Sequence, residues 1–352
     1  MIKKIGILTG GGDCPGLNPA IRGVWSRAHQ LGWEVVGIED GWNGMVEKIW
    51  RPLLLQEVEE IINRGGTILG STRTNPAKIE GGFEKVEQTF RDLGLDALVA
   101  IGGDDTLGVA RELSARGVPV VGVPKTMDND LEGTDYTFGF DTSVTVAVDA
   151  VERLRDVAKS HHRVMVLEVM GRKAGWVAWM TALASGADWV LIPEHASKEE
   201  IPGVLDAMIA HLKSLWSRGK RYAVVVISEG VELPGHEDVT DQSRLDAFGH
   251  MKNLGEKGLA PALAEYIEKE TGYETRHSVI GHIQRGGPPT VFDRVLATRL
   301  GVKAADLLNE GVFGHMVCLQ GNEVRSISLK EATSTPKVVP ESLYDLACLF
   351  FQ

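Results

Sequence analysis

Short apolar runs recur along this chain, and most of them end in a cluster of glycine and polar residues. Residues 5–9, 34–38, 97–101 and 118–123 are almost continuously apolar, the pattern of strands covered on both faces. Between them, apolar positions at helical spacing predict helices over 18–30, 57–63, 83–93 and 107–116. Such β-α alternation implies a parallel sheet with helices on both faces. A second unit of the same kind begins after residue 140. It has helices over 143–158 and 199–217, a short helix near 176, and strands over 163–169, 189–192, 222–228 and 275–281. Residues 231–258 are polar, glycine-containing and irregular, and read as an insertion or lid. There is no internal repeat and no low-complexity tract. The expected fold class is α/β.

The chemistry lies in the loops at the strand ends. Pro124-Lys125-Thr126-Met127-Asp128-Asn129-Asp130 emerges where open α/β sheets bind ligands, at the carboxyl end of a strand. About twenty residues upstream, Gly102-Gly103-Asp104-Asp105-Thr106 reads as a second loop of that kind. Gly10-Gly11-Gly12-Asp13-Cys14-Pro15-Gly16 joins a strand to a helix N-terminus, an arrangement that suits an anion, although its spacing matches neither the P-loop nor the dinucleotide fingerprint. Gly70-Ser71-Thr72-Arg73-Thr74-Asn75 is rich in donors. Later loops carry Met170-Gly171-Arg172, Glu229-Gly230 and His282-Ile283-Gln284-Arg285-Gly286-Gly287. Each loop alone is more often a solvated turn; their recurrence at strand ends outweighs that reading.

Composition narrows the class. With 352 residues, 43% hydrophobic and 24% charged, the chain is an ordinary globular one long enough for two domains. A net charge of −11 argues against nucleic acid or an anionic membrane as the main partner. Three scattered cysteines form neither a disulfide framework nor a zinc site, and Cys14 reads as a small packing residue. With no long apolar span and no secretory segment, a cytoplasmic location is expected. The cations Arg73, Lys125, Arg163, Arg172, Arg276 and Arg285 suit a polyanion. Asp104, Asp105, Asp128 and Asp130 would repel phosphate unless a divalent ion lies between, which points to a magnesium-bridged phosphoryl donor. Phosphoryl transfer also needs a base for a hydroxyl proton, and an aspartate can serve.

The motifs Gly-Gly-Gly-Asp-Cys-Pro-Gly-Leu-Asn, Gly-Gly-Asp-Asp-Thr, Pro-Lys-Thr-Met-Asp-Asn-Asp, Met-Gly-Arg and Gly-His-Ile-Gln-Arg-Gly-Gly stand in one order from residue 3 to about 313. In this the chain resembles the 6-phosphofructokinases, which transfer a phosphoryl group to the 1-hydroxyl of fructose 6-phosphate. The resemblance implies two Rossmann-like lobes with mostly parallel sheets and an active site in the cleft between them. The larger lobe would take 1–140 with about 285–333, and the smaller 141–284 with about 334–352. It makes Asp128 the base, with Thr126 and Asp130 beside it, and Asp104 the magnesium-side carboxylate. Gly11, Gly12, Arg73, Gly103, Asp105, Thr106 and Lys125 are expected at the donor, with Gly12, Lys125 and Arg172 joining Asp128 in catalysis. Met170, Gly171, Arg172, Glu229, His282 and Arg285 are expected at the sugar phosphate. Arg163 and Arg276 match positions that reach a neighbouring subunit's site, which implies a homo-oligomer with shared active sites.

Two departures from the ATP-dependent pattern bear on the donor. Those members usually carry glycine where this chain has Asp105 and Lys125, and the pair resembles the pyrophosphate-dependent branch. ATP or dual use remains the alternative, and a catalytically silent sugar-phosphate-binding subunit is a third reading, which retention of Asp104 and Asp128 disfavours. Ser26 and Leu55 also replace effector-site arginines, while Arg22 and Arg155 remain. Little allosteric response is expected.

Overall fold

A computed structural model describes residues 2–197, 199–234 and 258–351. In chain order the elements are β1 (Lys4–Thr9), α1 (Leu17–Gln30), β2 (Glu34–Ile38), α2 (Trp42–Glu47), β3 (Trp50–Pro52), α3 (Leu55–Val58), α4 (Gly82–Asp92), β4 (Ala97–Gly102), α5 (Asp104–Ala115) and β5 (Val120–Pro124). Then come α6 (Phe140–His161), β6 (Val164–Val169), α7 (Trp176–Ser185), β7 (Trp189–Leu191), α8 (Ile201–Ser217), β8 (Ala223–Ser228), α9 (Leu259–Thr271) and β9 (Thr275–Val279). The last are α10 (Val291–Glu310), β10 (His315–Gln320), β11 (Glu323–Ser328), α11 (Leu329–Ala332) and α12 (Glu341–Cys348).

The chain forms two compact units, Met1–Thr142 with Arg285–Pro336, and Ser143–Gln284 with Lys337–Gln352. The first is built on a sheet of order β11-β10-β5-β4-β1-β2-β3. Its centre, β5-β4-β1-β2, is parallel; β3 and β11 add antiparallel edges. The second has the all-parallel sheet β7-β8-β6-β9. Every residue of β4, β6 and β8 is buried, which explains their unbroken apolar runs. Full burial of each valine or isoleucine there stabilises the fold by roughly 1.5–3 kcal/mol. In the first unit α1 and α10 meet where a Cβ on Gly23 would stand 2.6 Å from Thr298 O and one on Gly301 2.4 Å from Ala20 O.

The hairpin β10–β11, the edge strand β3 and the short helices α2, α11 and α12 lie outside the elements expected from apolar patterning. Three expectations need correction. The helix expected over 57–63 is only Leu55–Val58. Beyond it the chain runs as a loop tied to α1, since Asn18 Nδ2 donates to the carbonyls of Arg64 and Gly65 and Ile68 N donates to Asn18 Oδ1. The helix expected from 107 begins at Asp104, because the Gly103 carbonyl accepts from Leu107 N and the two aspartates suit the positive helix end. The strand expected over 275–281 stops at Val279, and Gly281–Arg285 forms a 3₁₀ turn. Most of the expected insertion, 235–257, lies outside the described residues.

Candidate active site

In the first unit, β1, β4 and β5 are parallel neighbours, so the segments after them emerge on one edge. Close packing decides where glycine must stand. A Cβ on Gly10 would lie 2.6 Å from Thr106 Oγ1, and one on Gly12 would lie 2.7 Å from an Arg285 guanidinium nitrogen. The donor-rich segment is pinned to this loop: Gly11 N donates to Thr72 O at 2.9 Å, and Ser71 Oγ donates to Gly11 O. Arg73 is thereby brought beside the glycines. Asp104 and Asp105 are exposed on the first turn of α5, while Thr106 behind them is buried.

Lys125 is 4% exposed, and its ammonium donates to Gly12 O. Burial pushes it below the ordinary lysine value; Cys14 and Asp128 oppose the shift, and the Arg285 guanidinium adds to it. A polyanion arriving here would meet a cation already held against the glycine loop. Cys14, buried with Sγ 3.5 Å from Phe138 O, is pushed up to about 12 by burial and is no nucleophile.

Asp128 lies on the same loop, 2% exposed. Thr126 Oγ1 donates to its Oδ2 at 3.2 Å and accepts from its backbone N at 3.1 Å. The other carboxylate oxygen, Oδ1, is buried with no hydrogen-bond partner among the described residues. An acceptor left open in a buried loop is what a base needs. The loop is held from behind, since Thr137 Oγ1 donates to Thr126 O at 2.6 Å and Thr137 N donates to Asn129 Oδ1 at 3.0 Å. Asn129 sits at φ 54° within this turn, and Asp130 beside it is half-buried. Arg285 belongs to the first unit and donates to Asp13 O at 3.0 Å.

In the second unit, Met170, Glu229 and the Gly281–Arg285 turn come after the carboxyl ends of β6, β8 and β9. Glu229 Oε1 accepts from Gly171 N at 3.2 Å and Arg172 N at 2.8 Å, holding Arg172 at φ 52°. His282 is exposed on the turn. Arg163 and Arg276 stand at the opposite, amino end of the same strands. Both pair with Glu274, Arg163 at 2.9 Å and Arg276 at 2.6 Å. One protomer therefore does not bring them to Arg172. Around the expected effector arginines, Arg155 donates to the carbonyls of Ser185 and Gly186, and Ser26 and Leu55 are exposed.

Two buried polar residues escaped the sequence reading. Gln284 is 0% exposed and accepts from Met170 N; its signal was a position between His282 and Arg285. Glu168, 2% exposed, accepts from Ala260 N at the start of α9; its signal was a lone acid inside an apolar strand.

Glycine loops with helix N-termini, an ammonium held against them and an open buried carboxylate define an α/β protein that handles phosphorylated small molecules. Likeness to known proteins sharpens this. The profile of the family described as Phosphofructokinase matches residues 4–308, and the chain belongs to that family of phosphotransferases. It is 50% identical to a pyrophosphate--fructose 6-phosphate 1-phosphotransferase of Dictyoglomus thermophilum, over 99% of this chain and 98% of that one. It is 45% identical to an ATP-dependent 6-phosphofructokinase of Streptomyces coelicolor, over 97% and 98%. Among solved structures, Pichia pastoris phosphofructokinase matches with a TM-score of 0.82 at 28% identity. That match covers 99% of this chain and 36% of the yeast one.

Proposed function

We propose that this protein transfers a phosphoryl group from pyrophosphate to the 1-hydroxyl of fructose 6-phosphate, in either direction. The observation that carries the chemistry is the open, buried Oδ1 of Asp128, three residues from the Lys125 ammonium on the glycine loop. Asp128 takes the proton of the 1-hydroxyl as its oxygen bonds to the transferring phosphorus, and the bond to the bridging oxygen breaks to release phosphate. Met170, Gly171, Arg172, Glu229 and His282 hold the sugar phosphate.

The donor assignment rests on Asp105 and Lys125. A carboxylate on the first turn of α5 occupies space and carries charge where a nucleotide's third phosphate and nucleoside would extend, and pyrophosphate ends short of it. Lys125 neutralises charge on the shorter donor. The pyrophosphate-dependent relatives at 50% identity favour the same donor; the ATP-dependent relatives at 45% favour the second reading, ATP.

Magnesium fits this edge. The ion takes one or two protein carboxylates and fills its shell with phosphate oxygens and water. Asp104, exposed on the first turn of α5, is such a carboxylate, and among the described residues no cluster of three or more metal-ligating side chains competes with it. Bound there, the ion would neutralise charge on the donor. Because Arg163 and Arg276 stand away from Arg172, we infer that they serve a second copy of the chain in a homo-oligomer. The test of the function is turnover of fructose 6-phosphate with magnesium and either donor. A kcat/KM higher for ATP would overturn the donor assignment, and no turnover with either would favour a silent sugar-phosphate-binding subunit.

A further inference from the structure

Three consecutive backbone amides, those of Met170, Gly171 and Arg172, donate to side-chain oxygens. Glu229 takes two of them; the third, Met170 N, donates to Gln284 Oε1 at 2.8 Å. At its other end Gln284 Nε2 donates to Ser143 Oγ at 3.0 Å. Gln284 and Ser143 are both 0% exposed, so water does not replace either bond. The amide's orientation is set by its partners, since a backbone N–H requires an acceptor. These residues also have a place in the chain: Ser143 and Gln284 are the first and last residues of the long segment that makes most of the second unit. One side chain therefore clasps both ends of that segment and the loop between them.

We propose that Gln284 is a positioning residue for fructose 6-phosphate: it fixes the Met170–Arg172 loop through the Met170 amide and touches no substrate itself. This rests on the reading of that loop as the sugar-phosphate site. Arg172 at φ 52° occupies a backbone region that a non-glycine residue leaves unless its neighbours hold it. Glu229 takes the amides of Gly171 and Arg172 but leaves that of Met170 to Gln284. A glutamine suits the place because one planar group must accept from an amide and donate to a hydroxyl while remaining uncharged in a buried position.

Gln284→Met keeps the volume and leaves the Met170 amide unpaired, which raises the cost of holding the loop. The expected result is a KM for fructose 6-phosphate raised about tenfold or more, with kcat lowered less and the KM for pyrophosphate changed less than about twofold. Gln284→Glu keeps an acceptor for Met170 N but puts a charge in a position that needs a neutral group, and should recover only part of the lost affinity. Ser143→Ala removes only the far end of the clasp and should show the same selectivity at smaller size; it also serves if the methionine variant does not fold. Amide hydrogen exchange in Gln284→Met should be faster in the peptide covering 170–175 and unchanged in that covering 125–130.

Unchanged exchange at 170–175 overturns the positioning role. Faster exchange with an unchanged sugar-phosphate KM overturns its link to substrate. Equal KM changes for both substrates, with exchange raised at both loops, would mean general damage and also sink the proposal. Wild-type protein that neither binds nor turns over fructose 6-phosphate overturns the functional reading itself. That failure is distinct, because the exchange measurement needs no substrate and separately decides whether Gln284 orders the loop.

Discussion

Asp128 offers one oxygen to Thr126 and keeps the other open, and this division sets its expected phenotype. Asp128→Asn preserves shape and the Thr126 contact but removes the proton acceptor. It should lower kcat by about 10²–10⁴-fold while fructose 6-phosphate binding stays near the wild-type value. Steady-state kinetics beside equilibrium binding decides this; a variant with near-normal kcat would remove Asp128 from the base role. The donor pair makes a second prediction. Asp105→Gly removes an exposed carboxylate and should admit ATP, whereas Lys125→Gly removes the ammonium on the glycine loop and should lose pyrophosphate activity without gaining ATP activity. kcat/KM for each donor in both single variants and the double variant is the measurement. Unchanged ATP use in Asp105→Gly would place donor discrimination elsewhere on this edge. Lys125, Asp105 and Asp128 were legible because each departs from what a turn requires. That Asp128 has one open oxygen was not, because it depends on Thr126 folding back across the loop.

Among the elements, α9 depends on a strand it does not adjoin in sequence. Glu168, inside β6, accepts from Ala260 N at 2.8 Å and from Leu259 N, so a carboxylate from the sheet caps that helix. Burial, with Glu229 adding to it and the two amides opposing, pushes Glu168 up to about 7 from 4.5. Between these values the folded protein keeps a proton that the unfolded chain has released. Its contribution to stability is therefore full below pH 4.5 and is lost as pH rises through about 7, by at most about 3 kcal/mol. Glu168→Gln lacks this dependence, so its Tm relative to wild type should rise from pH 5 to about pH 7 and level off above that. A constant difference across that range would show that Glu168 does not titrate there. Apolar patterning could find β6 but not this cap, since the partners are 92 residues apart. The same long-range logic holds the loop after α3, where Asn18 from another helix bonds the backbone of Arg64, Gly65 and Ile68.

At the scale of the whole molecule, the second sheet is parallel, so its two ends are chemically different. Met170, Glu229 and the Gly281–Arg285 turn lie just past its carboxyl end, and Arg163 and Arg276 stand at its amino end. β6 has six residues, a span of roughly 20 Å, beyond the reach of one arginine side chain. If both ends serve sugar phosphate, they serve different copies. Arg276→Ala and Asp128→Asn, each poorly active alone, should regain activity when their subunits are dissociated, mixed and reassembled, because some sites then combine intact residues from both chains. Activity that stays at the sum of the separate variants would rule out shared sites.

The sequence by itself determined that this is an α/β protein and at which strand ends its glycine-rich and charged motifs lie. Unbroken apolar runs can be buried on both faces only in parallel sheets, and ligands meet such sheets at their carboxyl edges. It also determined the family motifs, since Lys125, Asp128 and Met170–Arg172 are recognisable without coordinates. Only the tertiary structure decided how these groups are held. Gly12 is glycine because Arg285, far away in the chain, fills the space of its side chain, and the Met170 amide is satisfied by Gln284. Local periodicity reports which face of an element is buried. The partner of a buried polar atom is set by parts of the chain far from it, and becomes visible only when the fold brings them within hydrogen-bonding distance.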